Sequence, residues 1–266
     1  MNSSGSNIFM GLVLMALLAP LVVVAGVSVN EKKELLFPPR GFSLGWYGEL
    51  LSQADWLNAV RNSLTIAVLS AFLAVSVAFP LAYFLWRHKV WYAQILFTLG
   101  VAPFMLPPVI TALGFLLFWV NVGLYGSIVA TIISHAIFFV TLPLVTISLG
   151  LESIDRQVIE ASRMLGADSK TVFRTVVLPM VRPYLISGYA FAFVLSLNEY
   201  IVAYMVAGFT VETLPIKIFN SLRYGYTPVM AAVAVVFVLL AGLVFGLIAR
   251  FGDLPKLLGA WSTKES

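Results

Sequence analysis

Few side chains in this 266-residue sequence are equipped for chemistry, and the clearest is Glu199. It is the only charged residue between Tyr184 and Gly208, in an otherwise uncharged, largely apolar run. An ionised carboxylate inside such a run is costly in lipid, so it faces a partner group or a wet cavity. Two roles follow: attraction of an ammonium group crossing the membrane, or a salt bridge or hydrogen bond to a second subunit. Tyr200 and Tyr204 stand one and five positions on. Their rings either enclose a cation through their π faces or serve as packing and interface anchors. His135 is the one histidine inside an apolar stretch. It makes either an interhelical hydrogen bond or part of a proton-sensitive pathway. Enzyme chemistry finds no support. There is no cysteine, which removes disulfides and thiolate metal sites. No G-x-x-x-x-G-K-[ST] phosphate loop occurs, and no glycine is followed by lysine. No catalytic set, metal site or directly bound cofactor is expected.

The elements that must position these residues are membrane spans. The chain is 61% hydrophobic and only 11% charged, with a mean hydropathy of +0.98. Soluble domains carry roughly 25% charged residues, so the composition is that of an all-α, polytopic membrane protein. The net charge of +4 reads as topology bias rather than a nucleic-acid footprint. A spanning helix needs about 20 apolar residues. Ile8–Val29 and Asn62–Trp86 each supply one. Val90–Leu151 has no Asp, Glu, Lys or Arg and is too long for one helix. It must turn back near 119–126, where Asn121, Gly123 and Gly126 favour a break. That gives a third span near 93–118 and a fourth near 124–150. Tyr184–Gly208 makes a fifth and Thr227–Arg250 a sixth. The first span lacks a basic leader and is too long for a signal peptide, so it reads as a retained anchor.

Six spans place both termini on one side. Ten basic residues fall on that side: Arg87, Lys89, Arg156, Arg163, Lys170, Arg174, Arg182, Arg250, Lys256 and Lys264. Six fall on the other, which makes the first side cytoplasmic.

Between the fourth and fifth spans lies a mixed-charge segment, 151–183. Leu151, Ile154, Val158, Ala161 and Leu165 recur at helical spacing. Ser153 is the expected N-cap, with Asp155 in the first turn. Gly166 is the expected left-handed stop. Asp168 or Ser169 caps a second short helix through Val177, and Pro179 and Pro183 mark the return to the bilayer. Such a helix–turn–helix suits either a headgroup-bound connector or a docking element for another protein.

The spacing of Glu160, Ala161, Ser162, then Gly166, then Val176, Leu178 and Pro179 resembles the signature of permease subunits of ABC importers. Ser162 stands where that signature has Ala, and Val176 where it has Ile. The resemblance implies a type I importer permease fold with 1–266 as one transmembrane domain. Within it, 1–55 is the first span plus outer loop, 56–251 the importer core, and 151–183 the cytoplasmic coupling loop. It further implies that the loop docks on a separate ATPase, which binds ATP and Mg. On this reading Val158 and Met164 fill the motor's groove, Arg163 and Arg174 set the register, and Gly166 gives a tight turn.

The segments 37–47 and 196–219 are similar to the polyamine/opine-type branch, near the second permease of spermidine and putrescine importers. That branch often has an acidic pair where this chain has Asn198-Glu199. One acidic group fewer suits a substrate with a single cationic end, or a zwitterion. The expected pathway residues are Asn198, Glu199, Tyr200 and Tyr204. The expected partners are a second permease in a heterodimer, an ATPase dimer, an extracytoplasmic substrate-binding protein and membrane lipid, with no nucleic acid. The expected location is a bacterial inner membrane. Carriage of thiamine, ferric iron or phosphonate, and an ion-coupled secondary transporter using Glu199 and His135, stand as alternatives.

Several smaller expectations complete the reading. Pro103 and Met105–Pro108 kink the third span. Gly242 and Gly246 mediate close helix packing, within the subunit or against the partner. Trp46, Tyr47 and Trp56 anchor at the outer boundary. Residues 46–56 form a short amphipathic helix in an outer segment, 30–56, that either touches a binding protein or lies at the surface.

Overall fold

The computed structural model describes residues 3–88, 90–224 and 227–251. The basic residues Lys89, Lys256 and Lys264, and the side chain of Arg250, lie outside the described residues. The described chain is all helical, with no strand. Three helical stretches are long and apolar enough to cross a bilayer: Ser6–Ser28, Ala54–Arg87 and Ser169–Asn198. Two bent helix pairs bring that number to five if each pair is one span. A further apolar helix, Val229–Phe251, matches the expected sixth segment. The described residues fall into two compact units.

One unit comprises the described residues of Met1–Val60 and Ile216–Gly242. Its first helix, α1 (Ser3–Ser28), has 26 residues, about 39 Å at 1.5 Å per residue. That exceeds the roughly 30 Å of hydrocarbon. The chain after it is organised by Asn30, which is fully buried. Its Nδ2 donates to the Glu34 carbonyl at 3.1 Å, and its Oδ1 accepts from the Arg40 amide at 3.0 Å. The Trp46 indole donates to the Asn30 carbonyl at 2.6 Å. Trp46 lies in the first turn of α2 (Gly45–Ser52) and is tied to this hub rather than standing as a free anchor. The expected 46–56 helix ends at Ser52, and α3 (Ala54–Arg87) begins two residues later. Trp56 is buried, 3% exposed, with the Lys217 ammonium 5.8 Å from its ring centroid. Burial replaces the lipid-boundary role expected of Trp56.

The other unit comprises the described residues of Arg61–Pro215 and Leu243–Ser266. Its expected third span is broken, not merely kinked. Helices α4 (Ala93–Met105) and α5 (Pro108–Val122) meet at 102°. Pro107 and Pro108 lack amide protons, and the residue before a proline is driven extended. Leu106 is extended accordingly, with ψ at 148°. The turn expected at 119–126 forms on Gly123 and Gly126, both at φ +78°. Asn121 stays helical and bonds back to the Leu117 carbonyl. Ser127 then caps α6 (Ile128–Phe139) by accepting from the Ala130 amide at 3.1 Å. A 42° bend at Val140 separates α6 from α7 (Thr141–Glu152), three residues before Pro143.

Helix α8 (Arg156–Met164) is followed by a 30-residue helical run, Ser169–Asn198. The run comprises α9 (Ser169–Val172), a π turn (Phe173–Val177) and α10 (Leu178–Asn198). Pro179 therefore does not end a helix. It sits in the first turn of α10, where a missing amide is tolerated, and the π turn before it re-registers the ladder. The expected fifth span starts fifteen residues earlier than its apolar run and stops at Asn198. A short helix, α11 (Ile201–Ala207), follows the break. Helix α7 lies close along α10: a Cβ at Gly188 would stand 2.7 Å from the Pro143 Cα, and one at Gly150 2.5 Å from the Tyr184 ring. Such a backbone approach is what small residues permit between membrane helices. Among the described residues, Gly242 and Gly246 make no comparable contact, with nothing within 4 Å of either Cβ position. Helices α12 (Leu214–Tyr224) and α13 (Val229–Phe251) are the last among the described residues.

Candidate functional site: a capped loop and a broken helix

Two polar regions of the second unit hold the sequence-predicted residues. The first is the loop through α8. Asp155, not Ser153, is its N-cap, accepting from the Gln157 amide at 2.9 Å. Ser153 instead donates to the Gly150 carbonyl at 2.8 Å, at the end of α7. The single apolar stripe expected here divides at that cap. Leu151 and Ile154 are buried in a core with Ala78, Leu144, Ile147 and Val181. Val158, Met164 and Leu165 are 43%, 85% and 89% exposed. So one half of the stripe fixes the loop to the spans, and the other half faces outward.

Gly166 ends α8 at φ +86°. Its amide donates to the Arg163 carbonyl at 2.9 Å, and the Ala167 amide reaches back to Ser162 at 3.1 Å. These two bonds are the Schellman pair, which needs a left-handed residue at this position. Nothing lies within 4 Å of a Cβ built at Gly166. The glycine is thus required by backbone conformation, as the expected left-handed stop, and not by crowding. Glu160, Ala161 and Arg163 are exposed on α8, and Ser162 is half-buried, bonded to the Val158 carbonyl. Leu178 and Pro179 are exposed on α10, beyond the π turn.

Asp168 caps α9 through the Thr171 amide at 2.8 Å. Hydrogen bonding with Thr171 holds this exposed carboxyl below its ordinary value. The charged cap therefore acts above the ordinary carboxylate range and is lost as pH falls through the lowered value. Val172 and Val177 are buried in the same core, and the Phe173 ring meets Tyr83 edge-on at 5.0 Å. The loop is nailed down at both ends. Phe173 was not singled out by its sequence context, because an aromatic residue in a charged segment carries no periodic signal.

The second region is the break after α10. Glu199 is extended, and its carboxylate caps α11: Oε1 accepts from the Val202 amide at 2.8 Å and Oε2 from Ala203 at 2.9 Å. The side chain is only 8% exposed, and His135 Nε2 stands 3.3 Å from Oε2. That is ion-pair distance, but the ring nitrogen makes no aligned hydrogen bond. The other ring nitrogen, Nδ1, is 2.8 Å from the Ser196 hydroxyl, itself 3.1 Å from the Ser70 hydroxyl. A buried polar chain thus links α3, α6, α10 and α11. The interhelical bond expected of His135 is present. The partners of Glu199 lie within its own chain. Ser70 and Ser196 were missed, since a lone serine in an apolar run has no distinguishing pattern. Tyr200 and Tyr204 stack at 5.4 Å, Phe209 meets Tyr204 edge-on, and Asn198 is exposed beside them.

An all-helical chain with broken apolar spans and an outward-facing loop fits the transmembrane subunit of a transporter. Its fold matches the bacterial ABC transporter that imports the polysaccharide alginate, with TM-score 0.70 at 17% identity over 92% of this chain and 94% of that one. It also matches the MetNI methionine ABC transporter, with TM-score 0.63 at 20% identity over 73% and 93%. Residues 74–253 match the family described as binding-protein-dependent transport system inner membrane component, and the chain belongs to that family. It is 35% identical over 256 residues to the putrescine transport system permease protein PotI of Escherichia coli K12, covering 94% of this chain and 88% of that protein. It is 30% identical over 235 residues to the spermidine/putrescine transport system permease protein PotC of Haemophilus influenzae, covering 88% and 91%. The chain is a multi-pass inner-membrane permease subunit of an ABC importer and not an enzyme.

Proposed function

We propose that this subunit forms half of the pathway by which a polyamine-like cation enters the cytoplasm, driven by a separate ATPase. The observation that carries the mechanism is the loop's construction. Its buried residues Ile154, Val172 and Val177 join it to the span core, while Met164 and Leu165 project beside the Schellman turn. A rigid body anchored this way passes a push on its tip to the spans without bending. The ATPase groove receives Val158, Met164 and the α8 segment Glu160, Ala161, Ser162 and Arg163, with Gly166 holding the turn and Leu178–Pro179 the junction. ATP and Mg reside on that ATPase dimer. A second permease completes the pathway as a heterodimer, a binding protein delivers substrate from outside, and both termini are cytoplasmic.

The polyamine assignment is supported by the names of the relatives. It is also supported by the stacked Tyr200 and Tyr204 beside Asn198, whose π faces suit an ammonium group. Glu199, bonded within the chain, positions these rings and biases the local field.

The chain and its partner subunits, reconstituted in vesicles with ATP inside and the binding protein outside, are expected to take up labelled putrescine. Unlabelled spermidine should compete; thiamine, ferric iron and phosphonate should not. Uptake that persists without ATP but follows a proton gradient would instead assign the chain to ion-coupled transport.

A further inference from the structure

Trp86, one residue before the end of α3, lines three recesses of the second unit, two of them larger than the third. One, of about 380 Å³, is walled mainly by Ala82, Leu85, Phe97, Val145 and Leu149, with Gln94 and Glu152 adding polar groups. The other, of about 300 Å³, is lined by Trp86, Arg87, Arg156, Ile159, Glu160 and Arg163. Three guanidinium groups therefore share this second recess with one carboxylate. Among the described residues none of these arginines has an ion-pair partner. Arg87 is the last residue of a 34-residue apolar helix, which places it where a span leaves the hydrocarbon.

We infer that the paired recesses hold an anionic phospholipid, its phosphate among Arg87, Arg156 and Arg163 and an acyl chain along the apolar wall. The two halves of the site have the two chemistries of such a molecule. Guanidinium forks match phosphate oxygens. Basic pockets at a membrane face select acidic headgroups. Tryptophan sits well at the boundary between tails and headgroups. Glu160 leaves the basic recess with net charge +2, which favours an acidic lipid over a neutral one. A lipid lodged here would touch α3, α7 and α8 together. It would brace the root of the loop from outside, as the buried core does from within. The site shares Glu160 and Arg163 with the proposed ATPase face, so its test rests on Arg87 and Arg156, which that face does not use.

The test is lipid retention by the full chain purified with its partner subunits. The complex is equilibrated with vesicles of phosphatidylcholine alone or of phosphatidylcholine with phosphatidylglycerol, and bound lipid is counted by native mass spectrometry. Phosphatidylglycerol should be retained in preference to phosphatidylcholine. Arg87→Gln and Arg156→Gln should each lower that retention about fivefold. The charge-preserving double variant Arg87→Lys/Arg156→Lys should fall between, which also guards against a variant that fails to fold. Equal retention of the two lipids, or full retention in both the Arg87→Gln and the Arg156→Gln variants, overturns the inference. Filling of the recess by inorganic phosphate in the washed complex, with no lipid held, assigns it to a free anion instead. Loss of the ATPase from the Arg87→Gln complex with lipid retention unchanged assigns it to protein docking, and likewise overturns it.

Discussion

The loop through α8 and the break at Glu199 are both polar insertions in an apolar chain, yet they are built in opposite ways. At the break the ionisable groups and the serines face inward: the carboxylate caps α11, and His135, Ser196 and Ser70 form a chain between helices. At the loop the polar bonds are local, made by caps and nearby hydroxyls, and large apolar side chains stand in the open. The difference separates two uses of polarity in a membrane protein. Inward bonding fixes the shape of a discontinuous helix, whose freed backbone groups need partners away from water. Outward exposure of apolar groups on a stiff frame leaves surface for another molecule. If this contrast holds, substitutions at the break should damage the fold first, and substitutions on the loop should damage transport first.

The largest effect is expected from Glu199→Ala. It removes two charge-assisted bonds to backbone amides and the carboxylate beside His135 Nε2. Losing bonds to a charged group and stranding buried partners costs about 2–4 kcal/mol. Thermal unfolding of the detergent-purified complex should show the loss. Glu199→Gln keeps one acceptor oxygen and should cost about half as much. Equal stability of the Ala variant and the parent would mean that the break is held by packing alone.

Next comes Gly166. A β-branched residue at φ +86° costs roughly 1–2 kcal/mol, so Gly166→Val should loosen the turn after α8. Uptake is expected to fall at least tenfold while membrane insertion stays normal. Gly166→Asn should keep most activity, because asparagine tolerates the left-handed region. A Val variant as active as the Asn variant would show that the turn is not needed. The open space around Gly166 makes this a clean test of backbone conformation.

Much of this was legible from residue types. The span order, the turn at Gly123 and Gly126, and the stop at Gly166 follow from apolar run length and from glycine's access to positive φ. What was not legible depended on contacts distant in sequence. The split of the stripe at Asp155 arises because Leu151 and Ile154 find a core built from α3, α7 and α10, which helical spacing alone cannot reveal. The third span breaks rather than kinks because two consecutive prolines act together. Glu199 was conspicuous as a charge, but its partner lies 64 residues away on α6, and no local pattern connects them. The fifth span's early start was hidden because the π turn carries the charged loop into the helix without an apolar run.

A smaller effect is expected from Ser196→Ala. It removes the hydroxyl between His135 Nδ1 and Ser70, leaving a buried ring nitrogen without its partner. The cost should be about 1–2 kcal/mol. The substitution leaves the α11 cap intact, so it separates the interhelical chain from the capping role of Glu199. Combined with Glu199→Ala, the two losses should sum to less than their parts, since both act through His135. Strict additivity in thermal unfolding would mean that the two halves of the imidazole work independently.

The smallest effect on stability, and the sharpest use of the contrast, is expected from Met164→Ala with Leu165→Ala. Both side chains are more than four-fifths exposed, so truncation should move unfolding by less than about 0.5 kcal/mol. Transport should nevertheless drop several-fold, and the ATPase should dissociate more readily from the purified complex. At an interface, truncating a large apolar contact removes binding free energy without disturbing the free subunit. A destabilised variant with normal uptake would invert the assignment, making the exposed end of α8 part of the fold. Normal stability with normal uptake would leave Val158 and the charged face of α8 as the docking contacts. The diagnostic result is a stable complex that has lost its grip on the motor, because no change at the Glu199 break should produce that pairing.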